Sequence, residues 1–389
     1  MRYNFDKVID RSGTSAEKVE GLKHIWGRTD LIPLWVADMD FATAPFVTDA
    51  IRKRCENEVL GYTGKPDSYY NAIINWVKQR YDLVVAKEMI NFVPGIVPGI
   101  GMAMNCFTQK GDKVMIQPPV YHPFAWVTTR NERTLVTNPL KWENGMYRMD
   151  LDTFREQIKG CKLFILCNPH NPGGVVWTEA ELRAIADICY DEKVLVFSDE
   201  IHADLTLPPH THRPFATVSE KARMNSVTFM SPSKAFNMPG LSASHALIFN
   251  EDLRKRFRIY MDAGELDMGH VFAFLSVEAA YSHGTEWLDQ CLAYIQGNID
   301  FVDDFLKNHA PKIKAIRPEA SYLVWLDCRE LKLSQKDLNE FFVDKAHLAL
   351  NDGEMFGKEG IGFMRLNVAS PRCIIEKAMK QLADAYQLY

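Results

Sequence analysis

The sequence predicts an α/β protein: a large domain on a mostly parallel, doubly wound sheet, with a smaller α/β domain beside it. Three observations carry this. The runs Leu163–Leu166, Val194–Phe197 and Ser226–Met230 are short and largely apolar, as strands buried on both faces are. Polar residues follow each run at once. Amphipathic stretches such as Glu179–Glu192 alternate with the runs, as helices alternate with strands around a parallel sheet.

This alternation fills residues 46–285, the expected large domain. Residues 1–45 and 286–389 would form the smaller domain, joined through the helical stretch Glu286–Asn308. Strand-like Tyr322–Asp327 and a helix near Cys373–Tyr386 belong to it. No internal repeat or low-complexity segment interrupts this plan.

Composition narrows the function classes. The 389 residues are 47% hydrophobic, enough for a substantial core. A formal charge of −5 and a pI near 6.1 argue against a nucleic-acid partner or an anionic membrane surface. No segment combines an N-terminal basic region, an apolar core and a cleavage site, and the expected location is cytoplasmic. The eight cysteines, at positions 55, 106, 161, 167, 189, 291, 328 and 373, form no CxxC pair and read as reduced, buried thiols. No metal is expected: His210-Thr-His212 sits among Pro208, Pro209 and Pro214 and reads as a surface loop.

The chemistry gathers at the strand ends. Cys167-Asn-Pro-His-Asn171 follows the first run, Ser198-Asp199-Glu-Ile-His202 the second, and Ser231-Pro-Ser-Lys234 the third. Ligands of doubly wound sheets bind outside the carboxyl ends of the strands, so Asn171, Asp199 and Lys234 are expected to share one crevice. A lysine, a carboxylate and an amide together suit pyridoxal phosphate (PLP). The lysine holds the cofactor's aldehyde as a Schiff base, and the acid keeps the pyridine nitrogen protonated. Tyr121, between prolines in Pro118-Pro-Val-Tyr-His-Pro123, could stack on the ring, and Asn171 could donate to its phenolate oxygen. The Gly/Pro turn Phe92–Gly101, leading into helical Met102–Phe107, could give the phosphate its backbone N–H donors.

With these residues in view, the chain resembles fold-type I PLP enzymes of the class I/II aminotransferase superfamily, and within it the MalY/PatB subgroup of cystathionine β-lyases and related C–S lyases. The resemblance runs almost end to end. It covers Leu34-Trp-Val-Ala-Asp-Met-Asp-Phe41, Gly61-Tyr-Thr63, Pro119-Val-Tyr121, Cys167-Asn-Pro-His-Asn-Pro-Gly173, Ser198-Asp-Glu-Ile-His202, Ser231-Pro-Ser-Lys-Ala-Phe-Asn-Met-Pro-Gly240, Pro318-Glu-Ala-Ser-Tyr-Leu323 and Met364-Arg-Leu-Asn367 with Ser370-Pro-Arg372.

The resemblance implies roles for individual residues. Lys234 becomes the Schiff-base lysine and proton shuttle, Asp199 the partner of the ring nitrogen, Asn171 the donor to the 3′ oxygen and Tyr121 the stacking ring. His202 would lie near the same 3′ oxygen. Phosphate contacts would come from the backbone around Ile96, Val97 and Pro98, from Ser231 and Ser233, and from Tyr62 of a neighbouring subunit in a homodimer. Pro98 has no N–H, so only its neighbours can donate there. Arg365 would grip the substrate α-carboxylate as a planar fork, with Ala37 close by and Asn171 and Tyr62 also facing substrate. Many aminotransferase relatives place an arginine eight residues after the lysine; this chain has Ser242 there, as the lyase subgroup lacks that arginine.

The implied activity is α,β-elimination from cystathionine, cysteine or a related S-substituted cysteine, giving thiol, pyruvate and ammonia. An aminotransferase would use the same lysine, aspartate and arginine, and a partner-binding regulatory role is a third reading. Other motifs point elsewhere only weakly. Ser231-Pro-Ser-Lys234 fits S-x-x-K of serine acyl enzymes, but no K-T-G or S-D-N accompanies it. Gly353-Glu-Met-Phe-Gly-Lys358 is one residue short of a P-loop and reads as a turn. Asp38 and Asp40 read equally as anchors of the N-terminal arm or as part of the site.

Overall fold

The computed structural model describes residues 2–388. Seven strands form the central sheet: β1 (Ile90–Val93), β2 (Lys113–Ile116), β3 (Thr134–Thr137), β4 (Cys161–Cys167), β5 (Leu195–Asp199), β6 (Ser226–Met230) and β7 (Ser244–Leu247). Their spatial order is β1-β7-β6-β5-β4-β2-β3. Strands β2 to β6 pair in parallel, and only β7 runs against its neighbours β6 and β1. Reversing β7 brings its first residues to the edge where the parallel strands end.

Side chains of β4 divide between two cores, because successive residues of a strand point to opposite faces. Leu163, Ile165 and Cys167 pack with the helix α1 (Ile96–Phe107), whereas Phe164 and Leu166 pack with α2 (Glu179–Asp191). Helix α2 forms where the sequence places it. Thr178 Oγ1 accepts from Glu181 N–H at 3.2 Å and Glu181 Oε2 accepts from Thr178 N–H at 2.9 Å, a reciprocal cap. Leu182, Ile185, Ala186 and Cys189 then make the buried stripe at helical spacing.

Helix α1 corrects an expectation. The Gly/Pro segment was expected to remain a turn until Met102, yet the helix starts at Ile96. Pro98 falls in the first turn, where an N–H would have no intrahelical acceptor, so the ring costs no hydrogen bond. Gly95 precedes the helix at φ +151°, a conformation side chains rarely adopt. Gly99 lets α1 lie on the sheet: a Cβ there would sit 2.9 Å from Val93 Cγ2.

A second sheet of four strands lies in the C-terminal part: β8 (Lys314–Ile316), β9 (Leu323–Asp327), β10 (Asn351–Asp352) and β11 (Phe363–Asn367), ordered β8-β9-β11-β10 and antiparallel throughout. The expected long helix spans Thr285–His309, and the last helix spans Arg372–Gln387. The segment Trp35–Phe41 is tied to both sheets. Asn367 Nδ2, at the end of β11, donates to the carbonyls of Val36 and Asp38, each at 2.7 Å. Asn237, beyond β6, accepts from Met39 N–H and donates to the carbonyls of Met39 and Phe41.

His212 is a second correction. The prolines around it suggested a surface loop, but it is buried, with Nε2 2.8 Å from Glu200 Oε2. Glu200 is itself buried and accepts from Ser198 Oγ and Phe215 N–H. A buried carboxylate must be matched by donors, and that need overrides the loop-like composition. Among the described residues no cluster of three or more His, Cys, Asp or Glu could hold a metal, and no helix is long and apolar enough to cross a membrane.

Candidate functional site

A cavity of about 200 Å³ opens at the carboxyl edge of the central sheet. Ala37, Ile96, Val97, Pro98, Tyr121, Asn171, Asp199, His202, Ser233 and Lys234 all line it. The register explains part of this convergence: Cys167, Asp199 and Phe229 are side by side across β4, β5 and β6, so each strand delivers its following residues to one rim. Three residues named from the sequence are not in the wall. Ser231 is buried behind it, with Oγ 2.9 Å from Ser233 Oγ and 2.8 Å from the carbonyl of Ala243. Arg365 is buried on β11 and reaches the wall through Asn171. Tyr62 is 98% exposed, on a stretch without regular structure.

Lys234 follows β6 on the turn Ser231-Pro-Ser, closed by Phe236 N–H to the Pro232 carbonyl at 2.9 Å. Its Nζ donates to the carbonyl of Ala37 at 2.5 Å. Its pKa falls from 10.5 to about 8, chiefly because of burial, with Asp38 and Asp199 pulling it up and the Arg365 charge pulling it down. An amine so placed spends a substantial fraction of its time neutral near pH 8.

Asp199 shows the opposite side of the same physics. Burial raises its carboxyl from 3.8 to about 7, with Glu200 adding to the rise and the Ile201 N–H and Lys234 opposing it. That N–H reaches Oδ1 at 3.1 Å, and no salt bridge to Asp199 forms among the described residues. A carboxyl at the floor of a cavity, short of a cation, fits the protonated nitrogen of a pyridine ring. At the other end, the first turn of α1 presents the N–H groups of Ile96 and Val97 with the positive end of the helix dipole, which fits a phosphate.

The guanidinium of Arg365 is buried without a carboxylate. It donates from Nη1 to Asn171 Oδ1 at 3.0 Å and from Nη2 to the Trp35 carbonyl at 3.1 Å and Asn351 Oδ1 at 2.5 Å, over the ring of Phe356. Nε is buried and unpartnered. Burial lowers its pKa to about 10, so the group stays cationic near neutrality. Because Asn171 Oδ1 is taken by Arg365, the amide NH₂ is the part of Asn171 left for a ligand. His202 is driven down to about 3 by burial, with Lys234 and Arg365 adding to the effect, and is a neutral imidazole whose Nδ1 is buried without a partner. Tyr121 is held to the same loop by its N–H to the Asn171 carbonyl at 3.0 Å, and burial raises its phenol pKa.

The family description "Aminotransferase class I and II" matches residues 29–382. The chain belongs to this family. It is 38% identical to the cystathionine beta-lyase PatB of Bacillus subtilis, over 98% of this chain and 99% of that protein. It superposes on cystalysin from Treponema denticola, whose crystal structure contains a pyridoxal 5′-phosphate cofactor, with a TM-score of 0.96 at 34% identity, covering 100% of this chain and 99% of the other. The PLP-bound C–S lyase from Staphylococcus hominis gives a TM-score of 0.91 at 35% identity, covering 99% and 98% of the two chains. The match to these proteins extends beyond the cofactor cavity to both sheets.

Within this family chain the structure also shows what sequence reasoning missed. Cys167, Ile201, Pro239, Ser242, Ala243 and Ser244 line the cavity. Ser242 takes up a left-handed conformation, φ +47°, just ahead of the reversed strand β7. Cys167 was legible as the last residue of its strand. Asn351, which fixes Arg365, carries no local signal and is placed only by its pairing opposite Arg365 across β10 and β11. Asp38 and Asp40 form ion pairs with Arg11 and Lys18, which supports their reading as anchors of the arm.

Proposed function

We propose that this protein is a PLP-dependent C–S β-lyase, cleaving cystathionine, cysteine or a related S-substituted cysteine with water to give thiol, pyruvate and ammonia. The observation that carries the reading is the convergence of Lys234, Asp199, Asn171 and, through Asn171, Arg365 at one cavity, in a chain 38% identical end to end to a cystathionine beta-lyase. In this reading Lys234 binds the cofactor's aldehyde, Asp199 pairs with its ring nitrogen, and Tyr121, Asn171 and His202 hold the ring and its 3′ oxygen. Ile96, Val97, the residues flanking Pro98 and Ser233 hold the phosphate end, and Ser231, behind the wall, supports Ser233 through its Oγ.

When bound, the cofactor supplies a ring that accepts negative charge from the substrate Cα. The protein does the rest. Arg365 binds the α-carboxylate and fixes the substrate's orientation, beside Ala37 and Asn171. The Lys234 amine removes the Cα proton, a task suited to a base with a pKa near the working pH. Release of the thiolate from Cβ then competes with proton return, and elimination wins when the sulfur leaves faster. The aminotransferase reading shares every residue up to this point; Ser242, at the place where many aminotransferase relatives carry arginine, favours the lyase.

We further propose a homodimer in which Tyr62 completes the neighbour's site. Tyr62 is almost fully exposed beside exposed Val59 and Leu60, and none of the three lines its own chain's cavity. Residues 46–285 would hold the cofactor, and residues 1–45 with 286–389 would form the smaller domain. A cytoplasmic location agrees with eight cysteines that are all free.

The deciding experiment incubates the PLP-loaded protein with L-cystathionine and, separately, L-cysteine, without any keto acid, and follows pyruvate and free thiol or sulfide. The lyase reading expects equal amounts of pyruvate and sulfur product over many turnovers. A single turnover restored only by an added keto acid would make it an aminotransferase.

A further inference from the structure

The carbonyl oxygen of Ala37 accepts two bonds: from Lys234 Nζ at 2.5 Å and from the Tyr322 hydroxyl at 3.0 Å. A carbonyl has two lone pairs, and both are used. Tyr322 is fully buried immediately before β9, so its one hydroxyl hydrogen has no water to turn to. Burial, reinforced by the charge on Asp38, holds its phenol pKa well above the ordinary value, and the hydroxyl is a donor throughout the working pH range.

The backbone around Tyr322 is built to hold this position. Ser321 lies at φ +81°, in a left-handed region that side-chain-bearing residues rarely adopt. Its N–H bonds the Leu205 carbonyl at 2.8 Å, and the Tyr322 carbonyl accepts from Val368 N–H at 2.9 Å. Tyr322 is thereby tied to the loop that carries His202 and to the segment following β11. On the other side, Asn367 grips the carbonyls flanking Ala37, those of Val36 and Asp38. The peptide that meets Lys234 is fixed from three directions.

We propose that Tyr322 is a positioning residue of the reaction: through the Ala37 carbonyl it fixes the place the Lys234 amine occupies when not bonded to the cofactor, and so the geometry of Cα proton transfer. The inference rests on the reading of Lys234 as the cofactor-binding lysine and base. A lysine side chain has four rotatable bonds and loses rotamer freedom when ordered. A fixed acceptor reduces that loss at the moment of transfer. A misplacement of about 1 Å costs as much as about 100-fold in rate.

The test uses Tyr322→Phe, which keeps the ring and removes only the hydroxyl. The PLP-loaded protein is placed in D₂O with L-alanine, which has no leaving group, and exchange of its Cα proton is followed by NMR. The expected result is exchange slowed about tenfold or more at saturating L-alanine, with half-saturation within about twofold. Cofactor affinity, read from the visible absorbance as PLP is added to the apoprotein, should match wild type. Exchange at the wild-type rate would overturn the inference, as would a loss confined to cofactor affinity or half-saturation. L-alanine exchange is independent of the lyase reading, since elimination plays no part in it. If the wild-type protein itself does not exchange the proton, the assignment of Lys234 fails and this inference with it.

Discussion

Two lysines, Lys18 fully buried and Lys234 half-buried at the cavity, reach the same short segment of chain, and they are held there in different ways. Lys18 Nζ lies 2.8 Å from Asp40 Oδ2 and 3.7 Å from Asp38 Oδ1, and Arg11 bonds the same two carboxylates. Lys234 Nζ meets only the Ala37 carbonyl among the hydrogen-bond partners of the described residues. The first lysine is compensated by opposite charge; the second is desolvated without a carboxylate at contact distance. Asp40 and Asp199 repeat the contrast with the sign reversed. Buried charge that is paired serves the fold, whereas buried charge left short of a partner is available for chemistry.

The largest effect should come from removing the unpaired member. Lys234→Ala is expected to lower turnover with L-cystathionine by at least about 10³-fold, since on the proposed reading it deletes both the attachment point and the base. Chemical denaturation should show its stability little changed. Lys18→Met should do the reverse. Leaving Asp40 and Asp38 with Arg11 as their remaining cation is expected to cost about 2–4 kcal/mol in urea unfolding, while steady-state turnover per folded molecule stays within a few-fold.

A smaller, pH-dependent effect sharpens the carboxylate half of the comparison. Burial raises Asp199 from 3.8 to about 7, so between those values the folded protein holds a proton that the unfolded chain has released. Stability of the cofactor-free protein should therefore fall as pH rises through that window, and the penalty is fully present above about pH 7. Asp199→Asn removes it. The variant apoprotein is expected to be more stable than wild type by roughly 1–3 kcal/mol at pH 8 and to converge with it near pH 4, as read from urea midpoints at each pH. The same change should weaken PLP binding, because on the proposed reading the ring nitrogen loses its anionic partner.

The sequence made some of this visible and hid the rest for physical reasons. The strand ends carrying Asn171, Asp199 and Lys234 were legible because apolar runs stop abruptly at polar residues, and the parallel sheet turns that pattern into a shared rim. The start of α1 was not, because glycine and proline read as helix breakers; Gly95 and Pro98 occupy the positions at a helix start where those residues cost nothing. His212 looked exposed from its proline neighbours, while its burial follows from Glu200, twelve residues away in sequence. Lys18 gave no sign of being buried, since lysines seldom are. Asn351 and Tyr322 act through strand pairing and a positive φ at Ser321, features that emerge only once the second sheet has formed.

The most direct test of the account sets Lys234→Ala beside Lys18→Met and records visible absorbance as PLP is added to each purified apoprotein, followed by borohydride reduction and peptide mapping of the attached cofactor. Lys18→Met is expected to give the same visible band as wild type, with the reduced cofactor on Lys234, and Lys234→Ala is expected to give no protein-bound band and no labelled peptide. A Lys234→Ala protein that keeps the band with label on another lysine would contradict it.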